Sequence, residues 1–481
     1  MILRQHLSED LPVQRTRQPV LSTFGWRRGR PVRSAFPLVS ERPSAQPHVV
    51  LDISRLLNVA GRTAPSGIDR VEMAYARRWA ARPEGSCTFV AQGVAGPYAA
   101  LPWRAATLLI TGLTEAWNGA DPHGRAAGRV RRLARQLRWR VTAGFGQRAL
   151  SRVLREPGPK VFLLVSHRAL ERERPIAAIR DAGCAFVPLI HDLIPATHPE
   201  YARPGQAQRH LRRIATTAAL ADAVIVNSAH TAEALAPYLA ARPKERGAPP
   251  PVLVAPLGVE TPSAPAPALP TEPYFVVLGT IEPRKNHLLL LHLWRDLVSR
   301  LGTSATPRLL VIGRRGWENE NIVDILDRNE TLRGVVREIG HLPDRQLWEL
   351  LRGARALLFP SFAEGYGLPL AEALAMGVPA LCSDLPALRE VGGEVPEYLD
   401  PLDGPAWRDV ILGYAEPESA GRAAQLARLS GWRTPRWEGH FEQVDAMLSG
   451  LVPMAPWPVP GTSTDSGPVL RGALQEGEAL T

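Results

Sequence analysis

The chain is 481 residues long, with 45% hydrophobic and 22% charged residues, which is ordinary for a globular protein of two or three domains. Its three cysteines, Cys87, Cys184 and Cys382, are scattered, which excludes a zinc site or disulfide framework and favours a reducing compartment. The net charge is +10, no apolar run approaches the ~20 residues that cross a bilayer, and no signal peptide is recognisable. We therefore expect a cytoplasmic protein.

Short apolar runs alternate with longer helical stretches along most of the chain. This alternation predicts βαβ units, in which parallel sheets are covered by helices. Residues 1–46 and 449–481 are rich in Pro, Ser, Gly and Arg without periodicity, and we expect flexible tails there. In the first half we predict strands at Val49–Ile53, Thr88–Ala91, Thr107–Thr111, Val161–Val165, Phe186–Ile190, Ala223–Val226 and Val252–Ala255. Helices are predicted at Asp69–Ala81, Gln206–Ala221 and Thr231–Leu239.

An arginine-rich insert, about residues 120–157, interrupts the first half. Between Arg125 and Arg155 lie ten arginines and no acidic residue, so this segment accounts for the whole positive excess. Apolar residues interleave with the arginines, which predicts a basic, partly amphipathic helix. Such a helix suits an anionic membrane surface. A solvated insert and a protein-binding arm remain alternatives, and nucleic acid is not expected because no recognition motif accompanies the charge.

A proline-rich connector, residues 261–273, divides the folded chain, because its sequence can form neither a helix nor a central strand. After it we predict strands at Tyr274–Leu278, Leu309–Ile312, Val335–Ile339, Ala356–Phe359 and Pro379–Cys382. Helices are predicted at His287–Arg300, Asn321–Asp327, Arg345–Arg352 and Leu370–Met376. The predicted fold class is α/β, with two doubly wound Rossmann-like domains facing a cleft, where the carboxyl ends of the strands bind ligands.

Two loops that follow strands in the second half suit a nucleotide. Gly279 to Asn286 place a glycine, a short turn and the cations Arg284 and Lys285 before a helix. Glycine permits close backbone approach, and the cations neutralise anionic oxygens. A later loop, residues 340–344, reads GHLPD and is well placed to meet a base. Each loop alone could also be an ordinary helix start.

The segment from Phe359 to Glu372 is the most informative part of the sequence. A buried strand ends there, a loop with two glycines follows, and Pro369 begins a helix. The free backbone N–H groups at that helix start can bind an anion. Glu364 lies in the loop and Glu372 one turn inside the helix, and carboxylates beside a phosphate site suit sugar and ribose hydroxyls.

These residues resemble glycosyltransferase family 4, the retaining enzymes of the GT-B fold. Glu364 and Glu372 match the family's Glu-x7-Glu motif, and the surrounding EGYGLPLAEALAMGVP also matches. The resemblance implies that Glu364 contacts the donor sugar, that Glu372 binds the ribose, and that Lys285 binds the donor diphosphate. The family often has an arginine directly after the strand glycine. Here that position is Thr280, and Arg284 is the candidate for the missing charge.

The resemblance extends more loosely into the first half. Gly67, in SGIDRV, matches the glycine loop that faces the donor phosphates across the cleft. His191 begins HDLIP, which resembles a segment of bacterial mannosyltransferases that build polysaccharides. Residues 431–448 resemble the C-terminal helix that crosses back to the first domain. The implied domains are an acceptor-binding domain at 47–260 and a nucleotide-sugar-binding domain at 274–430.

The resemblance implies a metal-independent hexosyltransferase that needs no cofactor, since no DxD motif lies where a donor would need one. It would move a sugar from a GDP- or UDP-linked donor to a hydroxyl of a polysaccharide or lipid-linked glycan, with mannose the preferred sugar. The implied catalytic residues are Glu364, His191 and Lys285. The implied donor-binding residues are Gly67, Thr280, Arg284, Lys285, His341, Leu342, Gly365, Tyr366, Gly367, Leu368 and Glu372.

Two other classes share these sheets. A GT-B epimerase or phosphorylase would have the same fold, but the Glu-x7-Glu segment fits transfer better and no cofactor-lysine signal is found. A non-catalytic sugar-nucleotide-binding protein or partner subunit would keep the fold and lose site residues. Glu364, Glu372, Lys285 and His191 are all present, which favours the enzyme.

Overall fold

The computed structural model describes residues 46–451 except 63, 94–95, 120–123, 243–246, 261–271 and 341. The expected tails, apart from residues 46 and 449–451, lie outside the described residues, as does most of the expected connector.

A seven-stranded sheet forms the first half. Its spatial order is β3-β2-β1-β4-β5-β6-β7, parallel except for the antiparallel edge pair β2–β3. The interior strand β5 is buried along its whole length, as expected for a parallel strand with helices on both faces. The strands are β1 (His48–Asp52), β2 (Cys87–Gln92), β3 (Tyr98–Ala100), β4 (Lys160–Leu164), β5 (Cys184–Ile190), β6 (Val224–Val226) and β7 (Val252–Val254).

Nine α-helices lie between the described strands of this half. The second begins with a capping box, in which the Ser66 side chain accepts from the Asp69 backbone and the Asp69 carboxylate accepts from the Ser66 N–H. The helices are α1 (Ser54–Val59), α2 (Gly67–Ala80), α3 (Trp103–Asn118), α4 (Arg125–Thr142), α5 (Gln147–Arg155), α6 (Glu173–Asp181), α7 (Ile194–Thr197), α8 (Gln206–Leu220) and α9 (Ala229–Ala240).

The strand predicted at Thr107–Thr111 is wrong, because these residues lie in the middle of α3. The run of apolar and β-branched residues suggested a strand. However, the buried positions of α3 are Ala106, Leu109, Ile110, Leu113 and Trp117, and this spacing is that of one helix face.

A six-stranded, fully parallel sheet forms the second half, in the order β10-β9-β8-β11-β12-β13. Its strands are β8 (Tyr274–Leu278), β9 (Arg308–Ile312), β10 (Val336–Ile339), β11 (Leu357–Phe359), β12 (Ala380–Ser383) and β13 (Glu397–Leu399). The remaining helices are α10 (His287–Leu301), α11 (Glu320–Arg328), α12 (Asp344–Arg352), α13 (Leu368–Ala375), α14 (Pro386–Gly392), α15 (Gly404–Ala415), α16 (Ala420–Leu429) and α17 (Trp437–Gly450). Two Rossmann-like α/β domains are thus present.

The last helix, α17, packs on the first half of the chain. Phe441 lies in the same apolar core as Tyr75 and Trp79 of α2, with ring centroids 5.0 Å and 5.8 Å away. His440 lies 2.8 Å from the Tyr75 hydroxyl through Nε2. The helix begins only at Trp437, after the segment that starts at residue 431.

The three cysteines are buried and unpaired. Within the described part of the chain, no helix combines the length and the apolar character that crossing a membrane requires.

Candidate active site

A cavity of about 660 Å³ lies in the cleft between the two sheets, within the range of ~300–1,000 Å³ that small-molecule sites occupy. Segments that follow the carboxyl ends of strands from both sheets line it, which is where doubly wound sheets bind ligands. His341 lies outside the described residues. All the other predicted site residues line the cavity: Gly67, His191, Thr280, Arg284, Lys285, Leu342, Glu364, Gly365, Tyr366, Gly367, Leu368 and Glu372.

Glu364 lies at the centre of a cluster of charges on the second-domain wall. Its Oε1 accepts a hydrogen bond from Lys285 Nζ and lies 3.0 Å from Nη1 of Arg284. Arg284 also donates to the Ala363 carbonyl at 2.5 Å and to the Glu282 carboxylate at 3.0 Å. The turn after β8 and the loop after β11 are adjacent because β8 and β11 pair directly.

The cations keep the Glu364 carboxylate ionised. Its burial alone would raise the pKa, but the charges of Arg284 and Lys285 outweigh burial and lower the pKa of Glu364 to about 2. Burial lowers the pKa of Lys285, and Glu364 opposes that shift. Lys285 Nζ also lies 4.6 Å from the ring centroid of Phe359. An ammonium has three donors, so two remain for a ligand or for the aromatic face.

The second glutamate of the motif, Glu372, meets a cation from the opposite domain. Arg70 of α2 donates to both oxygens of Asp344, at 2.7 Å and 2.6 Å, and its Nε is 4.0 Å from Oε1 of Glu372. Burial raises the pKa of Glu372, Arg70 lowers it and Asp344 raises it further. Arg70 therefore joins the two domains at this end of the cleft.

Two helix N-termini, one from each domain, lie at the cavity. Gly67 begins α2, and a Cβ added to it would lie 3.2 Å from Cδ1 of Leu368, the first residue of α13. Gly367 precedes that helix in the left-handed region, with φ of 100°, which a glycine adopts without strain. Pro369 has no N–H, and the Leu370 N–H donates to the Gly367 carbonyl at 2.9 Å. The start of α13 therefore offers the Leu368 N–H to an anion, and the start of α2 offers the N–H groups of Gly67 and Ile68.

His191 is buried, and its imidazole is uncharged at neutral pH. Its Nε2 donates to the Val165 carbonyl at 2.9 Å, so its Nδ1 carries the lone pair. Its backbone N–H donates to Nε2 of His167 at 3.2 Å, and Nδ2 of Asn227 donates to its carbonyl at 2.9 Å. Burial lowers the pKa of His191 to about 4. These bonds fix both the orientation and the tautomer of the imidazole.

The loop that carries Glu364 lies directly against the histidine segment. A Cβ at Gly365 would overlap the His191 carbonyl and approach Cβ of Asp192 at 2.7 Å. Oγ of Ser228, at the start of α9, donates to the Gly365 carbonyl at 2.7 Å. The Glu390 carboxylate accepts from the first two N–H groups of α9, at 2.6 Å and 2.7 Å. The two domains are thus in contact here, and only a glycine fits.

Two predicted donor-binding residues have additional structural roles. Tyr366 is buried, and its hydroxyl donates to the Leu257 carbonyl of the first domain at 2.8 Å, so its oxygen already has a protein partner. Thr280 follows β8, and its methyl group would be 2.6 Å from a Cβ at Gly316. It supplies no charge, and Arg284 is the cation next to Glu364.

Sequence reasoning missed several charged and polar residues of the cavity wall. They are Arg55, Arg62, Arg70, Asp192, Asn227, Glu282, Arg314, Trp317 and Asp344. Asn227 comes directly after β6 and Arg314 two residues after β9, and their positions at carboxyl ends of strands could have singled them out. Arg55 and Arg62 both bind the Asp69 carboxylate, at 2.5 Å and 3.0 Å. No local sequence pattern predicts that these two arginines pair with Asp69.

Part of the second half matches a known protein family. Residues 261–394 match the family model "Glycosyl transferases group 1". The O-antigen chain mannosyltransferase B of Escherichia coli is 35% identical over 185 residues, covering 37% of this chain and 48% of that protein. The serotype-specific mannosyltransferase WbdA of E. coli is 29% identical over 272 residues, covering 53% of this chain and 32% of that protein. The chain thus spans less than half the length of these relatives.

Solved structures share the fold at low sequence identity. Anabaena HepE in complex with UDP and glucose matches 84% of this chain and 99% of its own, with a TM-score of 0.52 and 14% identity. A trehalose-6-phosphate protein of E. coli bound to UDP-2-fluoro glucose matches 84% of this chain and 100% of its own, with a TM-score of 0.52 and 11% identity. The likeness confirms the expected arrangement of two Rossmann-like domains, and the curated relatives confirm the resemblance to bacterial mannosyltransferases of polysaccharide assembly.

Proposed function

We propose that this chain, whose residues 261–394 match the family model "Glycosyl transferases group 1", is a retaining glycosyltransferase of the family 4 type. It transfers a sugar from a nucleotide-diphosphate donor to a hydroxyl of a polysaccharide or lipid-linked glycan. The observation that carries the proposal is the ionised Glu364, held by Lys285 and Arg284 opposite the N-terminus of α2.

The diphosphate would lie between the two helix N-termini. Lys285 and Arg284 provide the nearest cations, and the free N–H groups near Leu368 and Gly67 provide neutral donors. As the bond from the sugar to the diphosphate breaks, negative charge develops on the leaving oxygen. Donors fixed in position before the reaction stabilise that charge without reorganisation. The acceptor hydroxyl then passes its proton to the leaving phosphate as the new glycosidic bond forms on the same face.

Glu364 and His191 orient the sugar in this proposal and do not attack it. A carboxylate with a pKa of about 2 remains an acceptor for sugar hydroxyls throughout the physiological range. The neutral imidazole of His191 presents its Nδ1 lone pair, because Nε2 is bound to the Val165 carbonyl. Both groups line the cavity.

The nucleoside would lie at the end of the cavity near Glu372, which would accept from the ribose hydroxyls. Leu342 lines the same cavity as Asp344 and Glu372 and would provide apolar contact for the base. The neighbouring His341 remains a sequence-based proposal for the same position. Mannose and a GDP-linked donor are proposed from the mannosyltransferase relatives, with a UDP-linked sugar the nearest alternative.

No metal ion or other cofactor is part of the proposed reaction. The positive charge at the diphosphate comes from side chains, so we expect transfer to proceed unchanged in EDTA. Restoration of activity by added Mg²⁺ or Mn²⁺ after chelation would contradict this point.

Two measurements with the purified chain test the proposal. A thermal-shift screen against GDP, UDP and ADP should reveal the base, since a ligand at 100 times its dissociation constant adds ~2.7 kcal/mol of stability. Incubation with GDP-mannose and the soluble acceptor octyl α-mannoside should then yield a longer glycoside whose new linkage keeps the donor's anomeric configuration. An inverted linkage would contradict the retaining assignment. Nucleotide binding with intact donor and no product would support a non-catalytic sugar-nucleotide-binding protein.

A further inference from the structure

The arginine-rich insert forms α4 and α5 and has one buried face. Five residues of α4 point into the protein, at the spacing of a helix stripe: Ala127, Val130, Ala134, Leu137 and Val141. Nine of the ten arginines are exposed, and Arg131 is half-buried. The helix is therefore docked on its apolar side, and its arginines are presented outward.

The outward face of α4 is both cationic and aromatic. Arg125, Arg132 and Trp139 repeat every seven residues, two positions before the buried series 127, 134, 141, and so lie on the opposite side of the helix. Trp139 is 65% exposed, and Phe145, after the helix, is 51% exposed. Their ring centroids are 6.0 Å apart, and the guanidinium of Arg140 lies 5.2 Å from the Phe145 centroid.

These arginines have no acidic partners in the described parts of the chain. None of the nine exposed arginines takes part in an ion pair there, and the sequence from 125 to 155 contains no Asp or Glu. Three exposed arginines of the second domain differ, since Arg300, Arg328 and Arg333 each pair with a carboxylate on their own helix or turn. The insert is thus a surface of uncompensated positive charge.

The basic surface lies beside the cleft. The side chain of Arg131 comes within 4.0 Å of the position a Cβ would occupy on Gly61, and Gly61 lines the cavity. α4 also contacts α1, which contributes Arg55 to the cavity wall. A molecule held against this surface would therefore be next to the first-domain side of the cleft.

We infer that α4, α5 and the Trp139–Phe145 pair form a docking surface for an anionic lipid bilayer. Guanidinium groups bind lipid phosphates in a bidentate manner, each basic residue near an anionic surface favours binding, and Trp and Phe side chains suit the headgroup level. Duplex nucleic acid is less well matched, because the two exposed aromatic rings would be left in water. The inference rests on the proposed function, since it would bring a lipid-linked acceptor to the cleft.

Vesicle co-sedimentation with the full chain tests the inference. Binding is compared on vesicles of phosphatidylcholine and on vesicles that also contain phosphatidylglycerol. The wild type is compared with the variant R125Q/R129Q/R132Q. The control is R295Q/R328Q/R333Q, which removes the same amount of charge from the second domain. We expect binding only to the anionic vesicles, weakened roughly 10- to 100-fold by the first variant and little changed by the control. Trp139→Ser should weaken binding several-fold at constant charge.

Several results would overturn the inference. The first is absence of wild-type binding to anionic vesicles at low salt. The second is an equal loss of binding in the variant and the control. The third is a preference for a DNA duplex over vesicles at physiological salt.

Transfer to octyl α-mannoside in solution should be unchanged in R125Q/R129Q/R132Q, because none of these side chains lines the cavity. Failure of the proposed function would instead appear as no transfer by the wild type, whatever its vesicle binding.

Discussion

At the residue scale, the cluster of Glu364 with two cations explains how a carboxylate can lie beside a diphosphate. An unpaired buried carboxylate would become protonated, and a carboxylate without cations would repel the donor. Lys285 and Arg284 meet both requirements, because they hold Glu364 ionised and balance the charges of the two carboxylates in the cluster, Glu364 and Glu282. Removing one cation should therefore affect rate more than folding.

Lys285→Ala should lower kcat/KM by about 10²–10³-fold, the range found when one donor to a developing charge is removed. Arg284 still pairs with Glu364 in this variant, so circular dichroism and the melting temperature should show a folded protein. Arg295→Ala, which removes an exposed cation of α10, is the control and should turn over normally. Near-normal turnover of Lys285→Ala would remove Lys285 from the diphosphate site.

His191 should give the protein a specific dependence on pH. Its pKa is about 4 in the folded state because it is buried, against about 6.5 when unfolded. The unfolded chain therefore binds more protons between these values. The stability contributed by the neutral imidazole is complete above pH 6.5 and is lost as the pH falls towards 4.

Urea unfolding at pH 7.5, 5.5 and 4.5 measures this effect. His191→Asn should lose less stability between pH 7.5 and 4.5 than the wild type, whereas the same substitution at the less buried His198 should follow the wild type. An identical pH dependence for wild type and His191→Asn would contradict a depressed pKa at this position. The wild-type rate profile should also lack an ionisation of His191 near pH 6.5.

At the element scale, loops that follow parallel strands carry the site, and close backbone contacts position them. The loop after β11 lies so near the histidine segment after β5 that no side chain fits at Gly365. The start of α9 binds the same loop through Ser228 and is itself capped by Glu390 of the opposite domain. Glycine is therefore needed for closure of the cleft as well as for ligand access.

Gly365→Ala should hold the cleft apart by the overlap of its Cβ with the His191 carbonyl. We expect kcat/KM to fall by at least 10²-fold, as a displacement of about 1 Å at reacting groups can produce, while each domain stays folded. Gly413→Ala, at an exposed helical position with open space around its Cβ, is the matched control. It should be as active as the wild type and more stable by about 0.5–1 kcal/mol. Normal activity of Gly365→Ala would show that this contact does not govern closure.

At the scale of the whole molecule, the chain crosses twice between its domains. The connector leads from the first sheet to the second, and α17 returns to pack its aromatic face on α2. The second domain is therefore held to the first by the chain at one end and by the packing of α17 at the other. We expect the two domains to depend on each other for stability through this helix.

Phe441→Ala tests the contribution of the returning helix. The ring is 5% exposed and packs against Tyr75 and Trp79, so its loss should reduce the free energy of unfolding by about 3–5 kcal/mol. Glu442→Ala, at an exposed position of the same helix, should change stability by less than about 0.5 kcal/mol. A loss below 1 kcal/mol for Phe441→Ala would mean that α17 contributes little to the folded first domain.

Local sequence patterns predict the elements and residues whose roles depend on near neighbours in the chain. Alternating apolar runs predicted the parallel sheets. Glu364 and Lys285 could be assigned to one wall of a site because each lies in a loop after a strand, and Glu372 because it lies one turn inside the helix that follows the Glu364 loop. The local pattern gave a wrong prediction at Thr107–Thr111. This apolar run fits the period of a strand as well as that of a helix, and it forms part of α3, whose apolar face is buried. Periodicity over five residues cannot separate those cases.

The tertiary structure alone decided which groups face each other across the cleft. Arg70 and Asp344 are 274 residues apart in the chain, and no spacing rule links them. The tautomer of His191 depends on the Val165 carbonyl of the neighbouring strand, and the need for glycine at Gly365 depends on the backbone of the other domain. Such contacts follow from how two sheets pack, because ion pairs and close approaches act over a few ångströms of space and not along the sequence.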